Sequence, residues 1–407
     1  MEAEVVAVGS ELLLGQIVDT NSAVIARHFA SIGLNLFYKT TVGDNLGRVT
    51  STLRQALDRS DVVVTSGGIG PTADDITREA VAAATGRPLV FSADLMAQIE
   101  AYFASRGFRL SPSNRRQAYI PSGALPVENP VGTAPAFFVE HHGKTVITLP
   151  GVPREMEDLL VSRAIPYLRD RYGIKGEIRL RVLKVVGLGE SRVGERIADF
   201  MEVGANPTVG TLAHLGQVDV RIAAKADDAE AAQRLIAPAE AEIRRRLGEA
   251  VIGADADTLE SVIAARLVTL DARLAVAELG TAGAATERLA AGLPADRFVA
   301  GITIADARGL ERVGLAVAAD ATAPLALAQA IARVVARWAE ADVGAAVVLA
   351  ETTGSPAPLA AAAFGVWARG RAHGQELTVG GDRASMRIRA ATLLLDEVRR
   401  ALGPPQS

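Results

Sequence analysis

The densest chemistry in this sequence lies in residues 66–79, Ser66-Gly-Gly-Ile-Gly-Pro-Thr-Ala-Asp-Asp-Ile-Thr-Arg-Glu79. Gly67, Gly68 and Gly70 let the backbone approach a ligand closely, and free N–H groups where a helix begins favour an anion. Asp74 and Asp75 add two hard oxygen donors suited to Mg²⁺. A phosphate cradle beside metal-binding carboxylates points to nucleotide or phosphoanhydride chemistry. The segment is not a P-loop, since no Gly-Lys-Ser/Thr follows, and it lacks the dinucleotide spacing Gly-x-Gly-x-x-Gly. Taken alone, it also reads as a plain glycine turn with two solvated aspartates.

Such residues need elements to hold them. The β-branched run Asp61-Val-Val-Val-Thr65 predicts a buried strand before the glycines, and Arg78-Glu-Ala-Val-Ala-Ala-Ala-Thr85 predicts a helix after them, stopped by Gly86. Upstream, strands are expected at residues 4–8 and 36–42 and helices at 21–32 and 46–57. Asp19 or Thr20 would cap the first helix and Gly33 would end it. The alternation predicts a parallel sheet with helices on both faces, in which ligands bind beyond the carboxyl ends of the strands. Ser10 and Glu11 follow the first strand, Asp44 the second, and Asp74 and Asp75 the third. Three separate loops therefore bring carboxylates to one rim.

Two further stretches stand out. Asn129-Pro-Val-Gly-Thr-Ala-Pro135 precedes an expected hairpin, residues 136–139 and 145–149 turned at His142-Gly143, and Gly132 and Thr133 offer more phosphate donors. Leu149-Pro-Gly-Val-Pro-Arg-Glu-Met156 opens a helix with Pro153 in its first turn. Both also read as rigid Pro/Gly connections. A polar stretch at 169–176 marks a boundary. Residues 177–252 then read as a small α+β unit, with strands at 178–186 and 218–224, helices at 190–200 and 229–247, and a loop at 206–210. Residues 254–257 read as a linker, an Ala-rich α/β region follows to about 402, and the last five residues read as a frayed tail.

Composition narrows the classes. The 407 residues allow two or three domains, and with 49% hydrophobic but only 4% aromatic residues the core must rest on Ala, Val, Leu and Ile. A net charge of −4 gives no basic footprint for nucleic acid, and Arg244-Arg-Arg246 reads as a solvated helix face. With no cysteine, disulfides, thiolate metal sites and a cysteine nucleophile are excluded. The five histidines carry little signal: His141 and His142 fall in the expected hairpin turn, His28 lies within an expected helix, and His214 and His373 lack partners at metal-ligand spacing. No signal peptide or membrane-length apolar run is visible, so a soluble cytoplasmic protein is expected.

Four segments in order, Val8-Gly-Ser-Glu-Leu-Leu-Leu-Gly-Gln-Ile-Val-Asp-Thr-Asn-Ser22, Gly67-Gly-Ile-Gly-Pro-Thr-Ala-Asp-Asp-Ile-Thr77, Asn129 to Pro135 and Leu149 to Met156, together resemble the CinA family of competence/damage-inducible proteins. Gly187-Leu-Gly-Glu-Ser191 and Asn206-Pro-Thr-Val-Gly210 fit as well. The resemblance implies a molybdenum-cofactor-biosynthesis-like α/β parallel-sheet domain over 1–170. A KH-like α+β domain would cover 171–253, and a nicotinamide-nucleotide amidohydrolase-like α/β domain 257–403. Some members hydrolyse ADP-ribose with a divalent metal through the first domain, and some deamidate nicotinamide mononucleotide (NMN) through the last. The resemblance also implies a homodimer and a link to competence and DNA-damage responses, with a recombinase as a partner it suggests.

On this reading Asp44, Asp74 and Asp75 hold Mg²⁺, or Mn²⁺ or Co²⁺, to neutralise a diphosphate and activate water, with K⁺ as a further cation left open. Backbone amides of residues 67–72, with the Thr72 and Thr77 hydroxyls, position the phosphates, and Ser10, Glu11 and Asn21 line the nucleoside side. Glu79 is read as a first-turn carboxylate favoured by the helix dipole rather than as support for the site. Ala136 stands where the family has glycine, which would narrow the approach to the ligand.

The last domain departs where chemistry is needed. The family's nucleophile segment Ala-Glu-Ser-Cys-Thr-Gly-Gly is here Ala277-Glu-Leu-Gly-Thr-Ala-Gly283, so Leu279 replaces the serine and supplies no nucleophile. A tyrosine and a lysine that normally follow are missing from Gly301-Ile-Thr-Ile-Ala-Asp-Ala-Arg-Gly309. The loop Thr-Gly-Ile-Ala-Gly-Pro has become Glu351-Thr-Thr-Gly-Ser-Pro356. Gly381-Asp-Arg383 and Arg387 still match. The fold is expected to persist without amidase activity. Three other classes remain: a molybdopterin-nucleotide enzyme on the same first-domain fold, an NMN deamidase, and a non-catalytic competence or DNA-damage regulator that binds a recombinase.

Overall fold

A computed structural model describes residues 1–202, 204–315, 317, 323–351 and 358–403. The chain divides into two compact units, residues 1–179 with 224–234, and residues 180–223 with 235–407. Among the described residues no helix is long and apolar enough to cross a membrane. Residues 352–356 of the altered loop and 404–407 of the tail, both singled out above, lie outside the described residues.

The first unit is built on strands β1 (Glu2–Val8), β2 (Asn35–Val42), β3 (Val62–Ser66), β4 (Leu89–Phe91), β5 (Tyr119–Pro121), β6 (Leu125–Val127), β7 (Ala136–His141) and β8 (Lys144–Leu149). Its helices are α1 (Ser10–Leu13), α2 (Thr20–Ser31), α3 (Leu46–Arg59), α4 (Thr77–Thr85), α5 (Ala93–Ser105), α6 (Pro153–Leu159) and α7 (Ile165–Tyr172). Six strands form one sheet in the order β2-β1-β3-β8-β7-β6, and β4 pairs with β5 apart from it. The pairs β1/β2, β1/β3 and β3/β8 are parallel, whereas β7 runs antiparallel to both β8 and β6.

Alternation along the strands splits the core in two. Val5, Val64 and Ile147 point to one face, where Ile25 and Phe29 of α2 and Met156 and Leu159 of α6 cover them. Val6, Val63 and Val146 point to the other, under Leu53 of α3, Val81 of α4 and Leu95 and Ile99 of α5. With both faces covered, every residue of β3 is buried, which is why this strand reads as an unbroken apolar run. Asp19 is the cap of α2, its carboxylate accepting from the Ser22 amide at 2.9 Å. The β7–β8 hairpin turns at His142 and Gly143, whose φ values of 50° and 79° give the mirror-image turn that suits twisted strands.

Further along the chain β9 (Glu177–Val186), β10 (Thr208–His214), β11 (Gln217–Ala226) and β12 (Val251–Ala254) form a sheet in the order β10-β11-β9-β12, with α8 (Glu190–Arg196) and α9 (Ala229–Leu247) as its helices. The loop expected at 206–210 is partly strand, because β10 begins at Thr208 and pairs antiparallel with β11. The expected linker likewise starts inside β12, which pairs with β9.

The remaining elements are α10 (Leu259–Thr269), β13 (Leu274–Leu279), α11 (Ala284–Gly292), β14 (Phe298–Ile304), α12 (Ala307–Arg312), α13 (Pro324–Trp338), β15 (Val343–Glu351), β16 (Leu359–Ala368), β17 (Arg371–Gly380) and α14 (Arg383–Leu402). Their five-stranded sheet has the order β14-β13-β15-β16-β17. Ile331 and Val335 of α13 pack on one face with Ala275 and Ala277, and residues of α10, α11 and α14 pack on the other with Leu274 and Val276.

Candidate functional site

The glycine loop between β3 and α4 is shaped by close packing. Gly67 and Gly68 have φ of 99° and 68°, a region that favours glycine. A Cβ on Gly67 would lie 2.3 Å from the Val8 carbonyl oxygen, and one on Gly68 would lie 2.2 Å from Thr77 Oγ1. Asp75 closes the loop. Its Oδ1 accepts from the Gly70 amide at 2.7 Å, and its Oδ2 accepts from the Thr72 amide at 2.8 Å and from the Thr72 hydroxyl. Thr77 ties the other side, its hydroxyl donating to Gly67 O at 2.8 Å and its amide to Gly68 O at 2.9 Å. Among the described residues the N–H groups of Gly68 and Ile69 have no hydrogen-bond acceptor.

Two arginines brace this loop. Arg78 is 2% exposed, and its guanidinium donates to the carbonyls of Ile69 and Gly70. Burial pulls its pKa down to about 10, so it stays charged at neutral pH. Arg116 donates to the carbonyl of Thr72 and to Glu79 Oε1 at 3.0 Å. Glu79 sits in the first turn of α4 as expected, and it is also the partner of Arg116.

A cavity of about 480 Å³ opens above the loop. Glu11, Asn21, Asp44, Gly67, Gly68, Gly70, Asp74, Asp75 and Thr133, all singled out in the sequence, line it. The loops after β1 and β2 are joined, with the Ser10 amide donating to Asp44 Oδ2 at 2.7 Å and the Asp44 amide donating to Ser10 Oγ at 3.1 Å. Asn21 is 9% exposed; its Nδ2 donates to Ser66 Oγ at 2.9 Å and to Gly151 O at 2.8 Å. Its Oδ1 is buried without a partner. Six acidic side chains line the cavity, those of Glu11, Asp19, Asp44, Asp74, Asp75 and Glu155, and among the described residues no Lys, Arg or His does. Thr72 and its own backbone amide, with the attraction of Arg116, hold the Asp74 carboxyl below the usual carboxylate range. Burial pushes the Glu155 carboxyl up, against a hydrogen bond from Asn129.

Several expectations need correction. The three aspartates do not form a ready-made ligand set, and among the described residues no group of three or more His, Cys, Asp or Glu is arranged to hold a metal ion. The reason is that Asp75 spends both oxygens on the loop, while Asp44 Oδ2 is bonded to Ser10. Thr72 and Thr77 turn their hydroxyls to Asp75 and to Gly67 O, so these hydroxyls build the cradle rather than reach a phosphate. Ser10 binds Asp44 and does not line the cavity. Gly132 does not line it either; a Cβ there would lie 2.0 Å from Glu155 Oε2. Ala136 is buried in β7 opposite Val127 and leaves the cavity unnarrowed.

Sequence reasoning missed Arg78, Arg116, Gln117, Asn129 and Glu155. Arg78 and Glu155 lie inside the quoted motifs, and a charged residue fixed within a glycine or proline motif was the available signal. Gln117 and Arg116 sit on a 3₁₀ turn, residues 112–118, that no periodicity marks.

In the second unit the segment 277–283 is plugged from within. Glu278 is fully buried and accepts from Thr281 Oγ1 at 2.6 Å and from the amides of Ala285 at 3.0 Å and Thr286 at 2.6 Å. The first amides of α11 are thereby occupied. Leu279 is 6% exposed and packs in the core with Ala277 and Ile304.

Comparison with known proteins places this architecture. Residues 4–170 match the family model described as "Probable molybdopterin binding domain", and residues 180–253 match "Damage-inducible protein CinA KH domain". A "CinA-like protein" of Kosmotoga olearia is 35% identical over 412 residues, covering 99% of this chain and 100% of the relative. Another "CinA-like protein", from Gloeobacter violaceus, is 42% identical over 310 residues, 76% of this chain and 72% of the relative. A solved structure titled as the protein CinA with unknown function, from Thermoplasma acidophilum, is 41% identical; it covers 40% of this chain and 96% of its own, with a TM-score of 0.38.

Proposed function

This chain belongs to the CinA family, and on that premise we propose that the cavity of its first domain hydrolyses the phosphoanhydride of ADP-ribose or a related nucleotide with a divalent cation. The observation that carries the reading is the cavity wall itself: among the described residues, six carboxylates and no basic side chain around a glycine loop with free amides. A bare diphosphate is repelled by such a wall, whereas a diphosphate that enters with a cation is not. Mg²⁺ is commonly held by one or two carboxylates with substrate phosphates completing its shell, so the absence of a three-carboxylate cage among the described residues fits this arrangement. Asp44 and Asp74 are the residues that would hold it, Asp74 being exposed and kept ionised by its low pKa. When bound, the cation neutralises the diphosphate and acidifies a water.

The chain's own groups do the rest. The amides of Gly68 and Ile69 offer donors to phosphate oxygens, and Arg78 beneath them adds positive field without touching the cavity. Asn21 Oδ1, buried and unpartnered, takes a hydroxyl or N–H of the nucleoside, which removes the cost of leaving it unpaired. Asp75 and Thr77 keep the loop in the shape these contacts require.

The test is direct. The purified chain is incubated with ADP-ribose and Mg²⁺, Mn²⁺ or Co²⁺, with and without K⁺, and AMP and ribose 5-phosphate are resolved chromatographically. Formation of both products, abolished by excess chelator, is expected. No turnover with any of the three metals, or full turnover in chelator, overturns the reading.

A further inference from the structure

We propose that Glu155 is the group that accepts the proton of the attacking water in this cavity, an assignment that rests on the phosphoanhydride reading above. The residue reaches the site because its segment crosses the glycine loop: a Cβ on Gly151 would lie 3.3 Å from the Gly67 Cα, and Asn21 holds the Gly151 carbonyl at 2.8 Å. Pro153 then starts α6, and Glu155 on its first turn lines the cavity.

The carboxylate is held on two sides. Asn129 is fully buried and donates from Nδ2 to Glu155 Oε2 at 2.6 Å and to Ala134 O at 2.9 Å, while its Oδ1 accepts from the Val131 amide at 3.1 Å. This amide is locked by three hydrogen bonds and cannot turn its oxygen toward the carboxylate. Gly132 supplies the second side, since any Cβ there would occupy the place of the carboxylate. Glu155 Oε1 accepts no hydrogen bond among the described residues. One oxygen is thus fixed and the other is available.

The remaining acids of the cavity are less suited. Asp75 is committed to the loop, Asp19 caps α2, Asp44 and Asp74 are assigned to the cation, and the Glu11 side chain has no hydrogen-bond partner among the described residues to orient it, as Asn129 orients Glu155. Glu11, Asp19, Asp44, Asp74 and Asp75 are the acidic groups that share the cavity with Glu155. Burial favours proton uptake by Glu155, against the hydrogen bond from Asn129. A base is most useful when its pKa is moved toward the working pH.

The step balances without another reactant. The water oxygen bonds to one phosphorus as the bridging P–O bond to that phosphorus breaks. One water proton passes to Glu155 Oε1, and the bridging oxygen leaves with the electron pair as a terminal oxygen of the other phosphate. Glu155 then returns its proton to solvent.

The experiment compares full-length wild type with Glu155→Gln, Glu155→Asp, Glu155→Ala and Gly132→Ala, using ADP-ribose and whichever metal supports wild-type turnover. Glu155→Gln should lower kcat by about 10²–10⁴-fold, change KM little, and abolish the acid limb of the kcat–pH profile. Glu155→Asp should keep that limb at reduced kcat, so the assignment stays open to refutation if the Gln variant folds poorly. Gly132→Ala, which displaces the carboxylate, should resemble Glu155→Gln, and formate should restore part of the kcat of Glu155→Ala. A Glu155→Gln variant that keeps the acid limb and most of kcat, or that loses only KM, overturns the assignment while leaving the phosphoanhydride reading intact. Failure of the wild type with every metal overturns both.

Discussion

The Asp75 carboxylate accepts a hydrogen bond from the Gly70 amide at 2.7 Å and so closes the glycine loop upon itself. A Cβ on Gly70 would lie 2.6 Å from Asp75 Oδ2, so the two residues depend on each other. Paired aspartates that look equivalent in sequence therefore do different work. Asp75 shapes the cradle, and Asp74 beside it stays exposed to the cavity.

This division predicts opposite phenotypes. Asp75→Asn replaces an acceptor with an amide that faces the N–H groups of Gly70 and Thr72, and should reduce stability by about 1–3 kcal/mol, read from urea unfolding. Asp74→Asn should change stability by less than about 0.5 kcal/mol, as expected for an exposed position. Its effect should instead appear as a raised metal concentration for half-maximal turnover. The roles are wrong if Asp75→Asn is as stable as wild type while Asp74→Asn is not.

Arg78→Met tests the support under the loop. The change leaves the Ile69 and Gly70 carbonyls without their donor, so a loss of about 2–4 kcal/mol is expected, with turnover lost because the amides of the loop move. Calorimetry of the variant would show a clear fall in Tm. An unchanged Tm would mean that the guanidinium is not a structural group.

The legibility of the fold follows from where burial is periodic. β1, β3, α2 and α3 bury regular faces, and their positions can be read from the sequence to within a few residues. β10 was hidden because Thr208–His214 is mostly exposed, so its pairing with β11 leaves little apolar pattern. At the site, the rim carrying Glu11, Asp44 and Asp74 was legible because strand ends fix which loops converge. The roles of Asp75, Thr77 and Gly132 were not, because they depend on which way a side chain turns. Spacing alone does not distinguish a carboxylate aimed at a ligand from one aimed at its own loop.

Stability against pH offers a check on Glu155 that needs no substrate. Burial raises its folded-state pKa above the ordinary value of 4.5, so the folded chain binds more protons than the unfolded chain between those two values. Its contribution to stability is complete below the unfolded pKa and is lost as pH rises through the folded one. Glu155→Gln stays neutral and should lose less stability than wild type as pH is raised from about 4.5 toward neutrality. Denaturation midpoints for both proteins across that range measure the difference. Parallel curves would show that the carboxyl titrates normally.

The second unit should release no ammonia from NMN. Amide hydrolysis through a covalent intermediate needs a nucleophile, an activating base and oxyanion donors. Leu279 removes the first, and the missing tyrosine and lysine remove the second. The third is compromised as well, because the amides of Ala285 and Thr286 at the start of α11 are already bonded to Glu278. Leu279→Ser should therefore not restore activity, since position 279 is packed against Ala277 and Ile304, and the neighbouring carboxylate, Glu278, is already engaged by Thr281 and the α11 amides. An ammonia-release assay on the wild type and on Leu279→Ser should stay at background. Deamidation by the wild type on the order of 1 s⁻¹, an ordinary enzymatic rate, would refute the loss and place the nucleophile elsewhere in the domain.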